Sequence, residues 1–185
     1  PTNGELVDNY NGTVTYTHDG SDTVSDIFKY KVKDDDGAWS NTATVNVNIT
    51  EVNDDPTAVD DSGNVDEEQS TTIDLTANDS DIDGYIDDTT INITTQPVNG
   101  SLTEHTDGTV TYTHDGTETA SDSFQYRVKD DDGASSNIAT VSITVNEVND
   151  SPVATGDAAS VDEGGDEDIN LTSNDSDIDG TIDVT

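Results

Sequence analysis

Aspartates alternate with other residues in two copies of a short motif, a spacing that suits metal coordination. The motif NDSDIDG occupies residues 78–84 and recurs at residues 174–180. Alternate positions turn carboxylates toward the same side of a loop, and the final glycine permits a sharp turn. Calcium takes about six to eight oxygen ligands of this kind, whereas magnesium demands stricter octahedral geometry. The candidate ligands in the two motifs are Asp79, Asp81, Asp83, Asp175, Asp177 and Asp179.

The overall charge also favours a bound cation. The 185 residues include 42 Asp and Glu against five Lys and Arg, which gives a formal net charge of −37. This charge repels nucleic acids and anionic membranes, which excludes both as partners, and it opposes folding. Only 29% of the residues are hydrophobic and cysteine is absent, so disulfides cannot compensate. A divalent cation would stabilise the folded state and cancel local repulsion.

The sequence repeats with a period of 96 residues. TYTHDG (15–20), KDDDGA (33–38) and EVND (51–54) each return 96 positions later, and residues 1–55 match residues 97–151 at 34 of 55 positions. Such a period indicates a tandem array of domains. The positions of the repeated motifs predict three units. Residues 1–55 would be the C-terminal half of a repeat, residues 56–151 a complete repeat, and residues 152–185 the N-terminal part of the next.

Short runs of alternating apolar and polar residues predict an all-β fold. Turn-forming residues separate these runs at regular intervals, as in a β-sandwich. No apolar stretch approaches the roughly 20 residues that a membrane span requires, so we expect no membrane insertion. The predicted strands A to G are residues 57–65 with an interruption at Gly63, then 71–77, 89–95, 101–104, 109–113, 123–129 and 138–148. We predict tandem, seven-stranded Greek-key β-sandwich repeats with antiparallel strands.

In such a unit the chain enters at one end and leaves at the other, which we call the N-terminal and C-terminal poles. The B–C and F–G loops share the N-terminal pole with the preceding linker, and the A–B and E–F turns share the C-terminal pole with the following linker. Acidic residues gather in these segments, where like charges repel unless a cation lies between them. Besides the motif aspartates, the predicted ligands are Glu51, Asn53, Asp54, Asp55, Asp130 and Asp131 at the N-terminal pole, and Glu67, Glu147, Asn149 and Asp150 at the C-terminal pole. The alternative is that the acidic loops are only solvated and maintain solubility.

Both ends of the unit resemble a known family. VDE at residues 65–67, followed by IDLTANDSDIDG at 73–84, resembles the start of a cadherin repeat, and residues 128–152, which close on EVNDSP, resemble its end. The period and strand layout are similar to those of bacterial cadherin-like and Ig-like repeats in giant, calcium-dependent surface adhesins.

The resemblance implies calcium bound between successive domains. Its ligands, carried over by position, would be Glu67, Asn149 and Asp150 at the second junction, and Asn53, Asp54, Asp79, Asp81 and Asp131 at the first. The Asp-Arg-Glu motif of animal cadherins is absent from this sequence. The candidates to replace it are Asp115, Glu118 and Asp122.

These observations lead us to expect a structural function. The chain would be a calcium-rigidified extender repeat of a secreted, extracellular adhesin or cell-surface filament. Its partners would be neighbouring repeats of the same chain, or adjacent copies that complete the half-domains by strand exchange. No nucleophile motif occurs, and a catalytic carboxylate pair would not recur in every copy, so we expect no enzyme activity. The alternative is a carbohydrate-binding accessory module, in which Trp39 would stack on a glycan. The interpretation we favour for Trp39 is a partly exposed packing residue, because its counterpart 96 residues later is Ser135.

Overall fold

The computed structural model describes residues 1–183, and every regular element in this range is a β-strand. The prediction of an all-β fold is therefore confirmed. The last two residues of the predicted third unit, 184 and 185, lie outside the described residues. The strands are β1 (Gly4–Asp8), β2 (Val14–His18), β3 (Ser25–Tyr30), β4 (Ala43–Asn48), β5 (Asp61–Asp66), β6 (Ser70–Asp74), β7 (Ile86–Thr95), β8 (Gly100–Glu104), β9 (Thr109–His114), β10 (Ser121–Asp130) and β11 (Ala139–Asn146).

The strands from Asp61 to Asn146 form a sandwich of two sheets. One sheet has the order β5-β11-β10-β7 and the other has the order β6-β9-β8. Alternate residues of each strand point inward, and Leu75, Phe124 and Tyr126 are fully buried between the sheets. Burial of a large apolar side chain stabilises a fold by about 1.5–3 kcal/mol. This unit therefore has an apolar core despite the low hydrophobic content of the chain.

One strand pair in the sandwich departs from the predicted antiparallel arrangement. β5 runs parallel to β11, from the pair Asp61–Val141 to the pair Asp66–Asn146, whereas the other pairs in the sandwich are antiparallel. The prediction was wrong here because the first and last strands of a unit with an odd strand count run in the same direction. When these two strands become neighbours, their pairing must be parallel.

The predicted interruption of strand A at Gly63 is also wrong. Gly63 lies inside β5 and pairs with Ile143. A Cβ atom at Gly63 would lie 2.7 Å from Cδ1 of Ile73 in the opposite sheet. Glycine is present because the two sheets approach closely at this point, and it does not end the strand.

The segments on either side of the sandwich repeat parts of its sequence, but fewer strands pack against them. Residues 1–50 form two hairpins, β1–β2 and β3–β4. Their inward positions are open: Tyr30 is 48% exposed, whereas Tyr126, which occupies the same place 96 residues later, is 0% exposed. Residues 152–183 contain no strand, and a single bridge joins Val153 to Ser176 within that range.

A polar contact fixes the loops at the C-terminal pole of the sandwich. The carboxylate of Asp122 accepts hydrogen bonds from the N–H groups of Val98, Asn99 and Ser123 and from the hydroxyl of Tyr112, at 2.8–3.1 Å. Burial alone would raise the pKa of Asp122, but these donors hold it below its usual range. The contact ties the turn before β8 to the start of β10, and so it positions the β9–β10 loop.

Candidate metal sites at the domain junctions

Three carboxylates from separate segments meet at the C-terminal pole. Glu67 follows β5, Glu118 lies between β9 and β10, and Asp150 lies in the linker after β11. One carboxylate oxygen from each residue lies within 4.8 Å of the other two. Because β5 and β11 are parallel neighbours, the segments that follow them leave the sandwich at the same pole. We call these three residues the acidic cluster.

The acidic cluster contains more acceptors than donors. Glu67 is only 5% exposed, and its Oε2 atom accepts a long hydrogen bond of 3.4 Å from the N–H of Val148. Its Oε1 atom is buried and has no hydrogen-bond partner among the described residues. Burial, followed by the charges of Glu67, Asp179 and Asp150, raises the pKa of Glu118. A buried carboxylate oxygen without a donor is unfavourable, and a cation would satisfy it.

The aspartate motif of the following unit lies against the acidic cluster. The N–H of Asp150 donates to Oδ2 of Asp179 over 2.9 Å. The Oδ1 atoms of Asp177 and Asp179 are buried without a partner in the described part of the chain. Burial raises the pKa of Asp177, as do a hydrogen bond with Asp179 and the charges of Asp179 and Asp150. The linker and the next unit therefore bring further oxygen atoms to the cluster.

The N-terminal pole of the sandwich brings together the preceding linker and two loops. Nδ2 of Asn53 donates to Oδ2 of Asp130 over 2.9 Å, and this bond is the main reason that the pKa of Asp130 lies below its usual value. The N–H of Asp54 donates to Oδ2 of Asp83 over 3.2 Å. The linker, the β6–β7 loop and the β10–β11 loop thus meet at this pole, as the sequence predicted.

Asp81 differs from the other predicted ligands at the N-terminal pole because both of its carboxylate oxygens are buried without a hydrogen-bond donor in the described part of the chain. Burial raises its pKa, and the charges of Asp83, Asp130 and Asp131 raise it further. A Cβ atom at Gly84 would lie close to the carboxylates of both Asp81 and Asp131. Glycine therefore leaves the space in which these carboxylates face one another.

Asp79 and Asp175, two other predicted ligands, accept hydrogen bonds from backbone N–H groups outside the strands instead. Oδ1 of Asp79 accepts the N–H of Val59 over 2.8 Å, and Oδ1 of Asp175 accepts the N–H of Thr155 over 2.8 Å. Both oxygens of Asp79 also lie 3.2 Å from the hydroxyl of Tyr126. These two aspartates hold the segment that leads into a repeat. They are not part of the acidic cluster or of the group of carboxylates around Asp81.

The remaining predicted residues lie at the rims of the junctions. Glu147 lines a cleft with Glu67 and Glu118. Asp55 lines a cleft with Asp54 and Asp81, and Glu51 lines one with Asp54 near His18. The side chains of Asn53 and Asn149 each donate to the carbonyl of the aspartate that follows, at 3.1 and 2.7 Å. The two asparagines therefore shape the linkers.

Among the three candidates to replace the missing Asp-Arg-Glu motif, only Glu118 joins the acidic cluster. The carboxylate of Asp122 is occupied by its backbone donors, as described above. Oδ1 of Asp115 accepts both the N–H and the hydroxyl of Thr117, at 3.1 and 2.7 Å. Sequence alone left these three open, because only the fold shows which carboxylates are already used by local turns.

Trp39, which the alternative hypothesis of a carbohydrate-binding module would use to stack on a sugar, is 63% exposed in the β3–β4 loop. Nζ of Lys33 lies 4.6 Å from the centre of its ring, which is a cation–π contact. The equivalent position 96 residues later is Ser135. The exposed aromatic surface is thus partly covered, and the next repeat lacks it.

Comparison with known protein families gives two matches. Residues 53–147 match the bacterial cadherin-like domain, and residues 1–49 match the bacterial Ig domain. Domains of these two types are typical of extracellular structural repeats and are typically non-catalytic. Within residues 1–183 there is no helix of the length and apolar character needed to cross a membrane.

Other comparisons give weaker likenesses. No curated protein sequence matches the chain. Among solved structures, the endo-fucoidan hydrolase MfFcnA4 from glycoside hydrolase family 107 is 19% identical with a TM-score of 0.41, and the match covers 83% of this chain and 24% of that one. The endo-fucoidan hydrolase MfFcnA9 of the same family is 19% identical with a TM-score of 0.34, over 78% of this chain and 26% of that one. The chain therefore spans about a quarter of the length of these hydrolases.

The match to the bacterial cadherin-like domain covers more than half of the 185 residues and includes the whole sandwich. It also includes Asn53, Asp54 and Asp55 of the preceding linker and the loops that meet at the N-terminal pole. The resemblance drawn from the sequence is confirmed. The chain belongs to the bacterial cadherin-like domain family.

Proposed function

We propose that the chain is a calcium-stabilised structural extender of a secreted cell-surface adhesin or filament. The acidic cluster of Glu67, Glu118 and Asp150 carries the proposal, because one of its buried oxygens has no donor among the described residues. Glu67 and Glu118 belong to the sandwich, Asp150 belongs to the linker, and Asp179 of the next unit is bonded to that linker. A cation at this place would bind two successive repeats together.

The donor set supports calcium as that cation. The atoms available at the cluster are carboxylate oxygens, which suit a hard cation that accepts flexible geometry. Zinc prefers nitrogen and sulfur ligands, but the chain has no cysteine. Nε2 of the nearby His114 is already in contact with Oγ1 of Thr119 at 3.1 Å.

The array would become rigid because calcium replaces repulsion between the carboxylates at each junction with attraction of those carboxylates to the ion. Without a cation, the carboxylates of the sandwich, the linker and the next unit repel one another, and the junction opens. With calcium bound, the same groups attract the ion and hold the two units in one orientation. At the N-terminal junction, Asp81, Asp83 and Asp54 would act in the same way.

Thermal unfolding of the full chain in calcium and in chelator tests the proposal. Calcium should raise the melting temperature, because a ligand that binds only the folded state stabilises it. The variant Glu67→Gln should lose most of that increase, whereas Glu68→Gln, an exposed neighbour with the same charge change, should retain it. Small-angle scattering should show a longer and less variable particle in calcium. Equal melting temperatures and scattering profiles in the two conditions would rule the proposal out.

A further inference from the structure

A buried histidine holds the loop between β9 and β10. His114 is the last residue of β9 and is only 3% exposed. Its Nδ1 atom accepts the N–H of Gly116 at 3.3 Å, and its Nε2 atom lies 3.1 Å from Oγ1 of Thr119. Because Nδ1 accepts a hydrogen bond, the hydrogen of the neutral ring lies on Nε2 and is donated to Thr119. One side chain therefore binds both the start and the end of the loop.

Further hydrogen bonds connect Thr119 to the start of the loop. Its Oγ1 atom lies 3.5 Å from Oγ1 of Thr117, and its N–H donates to the carbonyl of Thr117 at 2.7 Å. The hydroxyl of Thr117 donates in turn to Oδ1 of Asp115 at 2.7 Å. The donors thus run in one direction, from the imidazole through two hydroxyls to a carboxylate. We call His114, Asp115, Thr117 and Thr119 the loop clamp.

Glu118 lies between the two threonines of the loop clamp and extends to the acidic cluster. Burial raises the pKa of Glu118, and the charges of Glu67, Asp179, Asp150 and Glu147 raise it further. Repulsion from these carboxylates favours a loop that moves away from the cluster. The loop clamp opposes this movement with bonds from an uncharged ring and from hydroxyl groups.

The same arrangement occurs in the preceding copy of the repeat. Nε2 of His18 lies 2.9 Å from Oγ1 of Thr23, and the hydroxyl of Ser21 donates to Oδ1 of Asp19 at 2.6 Å. Asp22 lies between the two hydroxyl residues, at the position of the cluster glutamate. Both histidines belong to the repeated motif TYTHDG, so this motif begins the clamp in each copy.

We propose that His114 is a positioning residue of the cation site: through the loop clamp it holds Glu118 at the acidic cluster before an ion binds. The inference rests on the proposed function, because it takes the acidic cluster as a calcium site. A ligand that is already in place binds more tightly than one that must first be ordered. His114 therefore sets the affinity of the site without contacting the ion.

A calcium titration of the ¹⁵N-labelled chain, followed by NMR, tests the inference. The amide of Val148 donates to Oε2 of Glu67, so its signal reports on this site. His114→Gln should weaken calcium binding about three- to tenfold, because the loop loses the bonds that fix it. His105→Gln is the matched control, since Nε2 of His105 contacts Oγ1 of Thr111 at 2.9 Å on an exposed face. The control should bind calcium as the wild type does.

Variants of Thr119 test the clamp without removing a buried ring. Thr119 is partly exposed, so Thr119→Val should fold even if His114→Gln does not. The valine has no hydroxyl to accept the hydrogen of Nε2, and it should weaken calcium binding about as much as His114→Gln. Thr119→Ser restores the hydroxyl and should restore most of the affinity.

A double-mutant cycle separates positioning from a general loss of stability. If the loop clamp acts through Glu118, Thr119→Val should have little further effect on calcium affinity in the variant Glu118→Gln. Thermal unfolding in chelator measures the stability of each variant separately. An affinity loss of the same size in both backgrounds would assign the effect to the fold as a whole and overturn the inference.

The remaining outcomes distinguish this inference from the proposed function. Calcium that shifts the Val148 signal with equal affinity in the wild type, His114→Gln and Thr119→Val overturns the inference and leaves the proposed function intact. A Val148 signal that calcium does not shift in the wild type contradicts both. Weaker binding in the two clamp variants, rescued by Thr119→Ser and absent in His105→Gln, supports the inference.

Discussion

The N–H of Asp150 donates to the carboxylate of Asp179 over 2.9 Å, so the linker is tied to the loop of the unit that follows it. The same relationship joins Asp54 to Asp83 at the preceding junction, at 3.2 Å. Each bond brings two negatively charged side chains together, and no Lys or Arg within residues 1–183 forms an ion pair with them. The repeat thus preorganises carboxylates at its junctions, which is unfavourable for the isolated chain and favourable for a chain that binds a cation.

Asp81→Asn should have opposite effects in chelator and in calcium. In chelator the variant should be at least as stable as the wild type, because it removes a buried charge that faces Asp83, Asp130 and Asp131. In calcium it should bind the ion roughly tenfold more weakly or worse, since a ligand is lost. Calorimetric titration and thermal unfolding measure the two effects. Asp132→Asn, an exposed change of the same charge in the adjacent loop, should leave the affinity almost unchanged, and equal losses in both variants would assign the effect to net charge alone.

Asp122→Ala should destabilise the sandwich by about 2–4 kcal/mol, because three N–H groups and the hydroxyl of Tyr112 lose their acceptor. Urea unfolding in chelator measures the loss without a contribution from calcium. The folded state lowers the pKa of Asp122, so its stabilising contribution is present above the ordinary carboxyl pKa of about 4 and is lost as the pH falls through the folded value. The difference between wild type and variant should therefore shrink in acid. Ser121→Ala, an exposed neighbour, is the control, and a loss as small as that of the control would contradict the assigned role.

Asp61→Asn should make the sandwich less sensitive to pH between about 4 and 6. Burial, followed by the charge of Asp79, raises the pKa of Asp61 to about 6, against about 3.9 in an unfolded chain. A raised carboxyl pKa means that the folded state loses stability as the pH rises through this window. The variant should gain stability relative to the wild type over the same window.

Urea midpoints in chelator from pH 4 to pH 7 measure that gain, with Asp132→Asn as the control. The physical basis is the hydroxyl of Tyr126, whose single hydrogen is shared among Asp61, Asp79 and the carbonyl oxygen of Leu75. A constant difference between Asp61→Asn and wild type at every pH would show that Asp61 does not titrate in this window.

Gly63→Val should destabilise the sandwich by about 1–3 kcal/mol through overpacking. The new Cβ atom would lie 2.7 Å from Cδ1 of Ile73, and the rest of the side chain needs space between the sheets. Ser62→Val adds a β-branched residue to the same strand at an exposed position, so it should be nearly neutral. Similar urea midpoints for the two variants would show that the sheets can separate at this point without cost.

The fold class was predictable because the strands alternate strongly, as in β11, where Ala139, Val141, Ile143 and Val145 all face the core. The parallel pairing of β5 was not predictable from alternation, which shows the face of a residue and not the direction of a neighbouring strand. Gly63 was misinterpreted for a related reason. Glycine indicates a break or a close approach equally well, and only the position of Ile73 distinguishes the two.

The sequence predicted at which pole the acidic residues gather, but it did not predict which carboxylate oxygens are free to bind an ion. The repeat and the strand count placed the acidic segments together, and the described contacts between Asn53 and Asp130 and between Asp54 and Asp83 agree with that placement. The sequence did not separate Asp79, which holds backbone, from Asp81, whose oxygens have no donor within residues 1–183. Two positions apart in one loop, they differ only in the groups that the fold places beside them.

If the chain is the structural extender that we propose, the parallel pairing of β5 with β11 would determine how it carries mechanical load. The preceding linker leads into β5 and the following linker leaves from β11, and six residue pairs connect the two strands. In the proposed array, tension would pull these strands in opposite directions along their common axis. The pull would load the inter-strand hydrogen bonds simultaneously in shear, so the repeat should resist extension more strongly than a hairpin whose bonds open one after another.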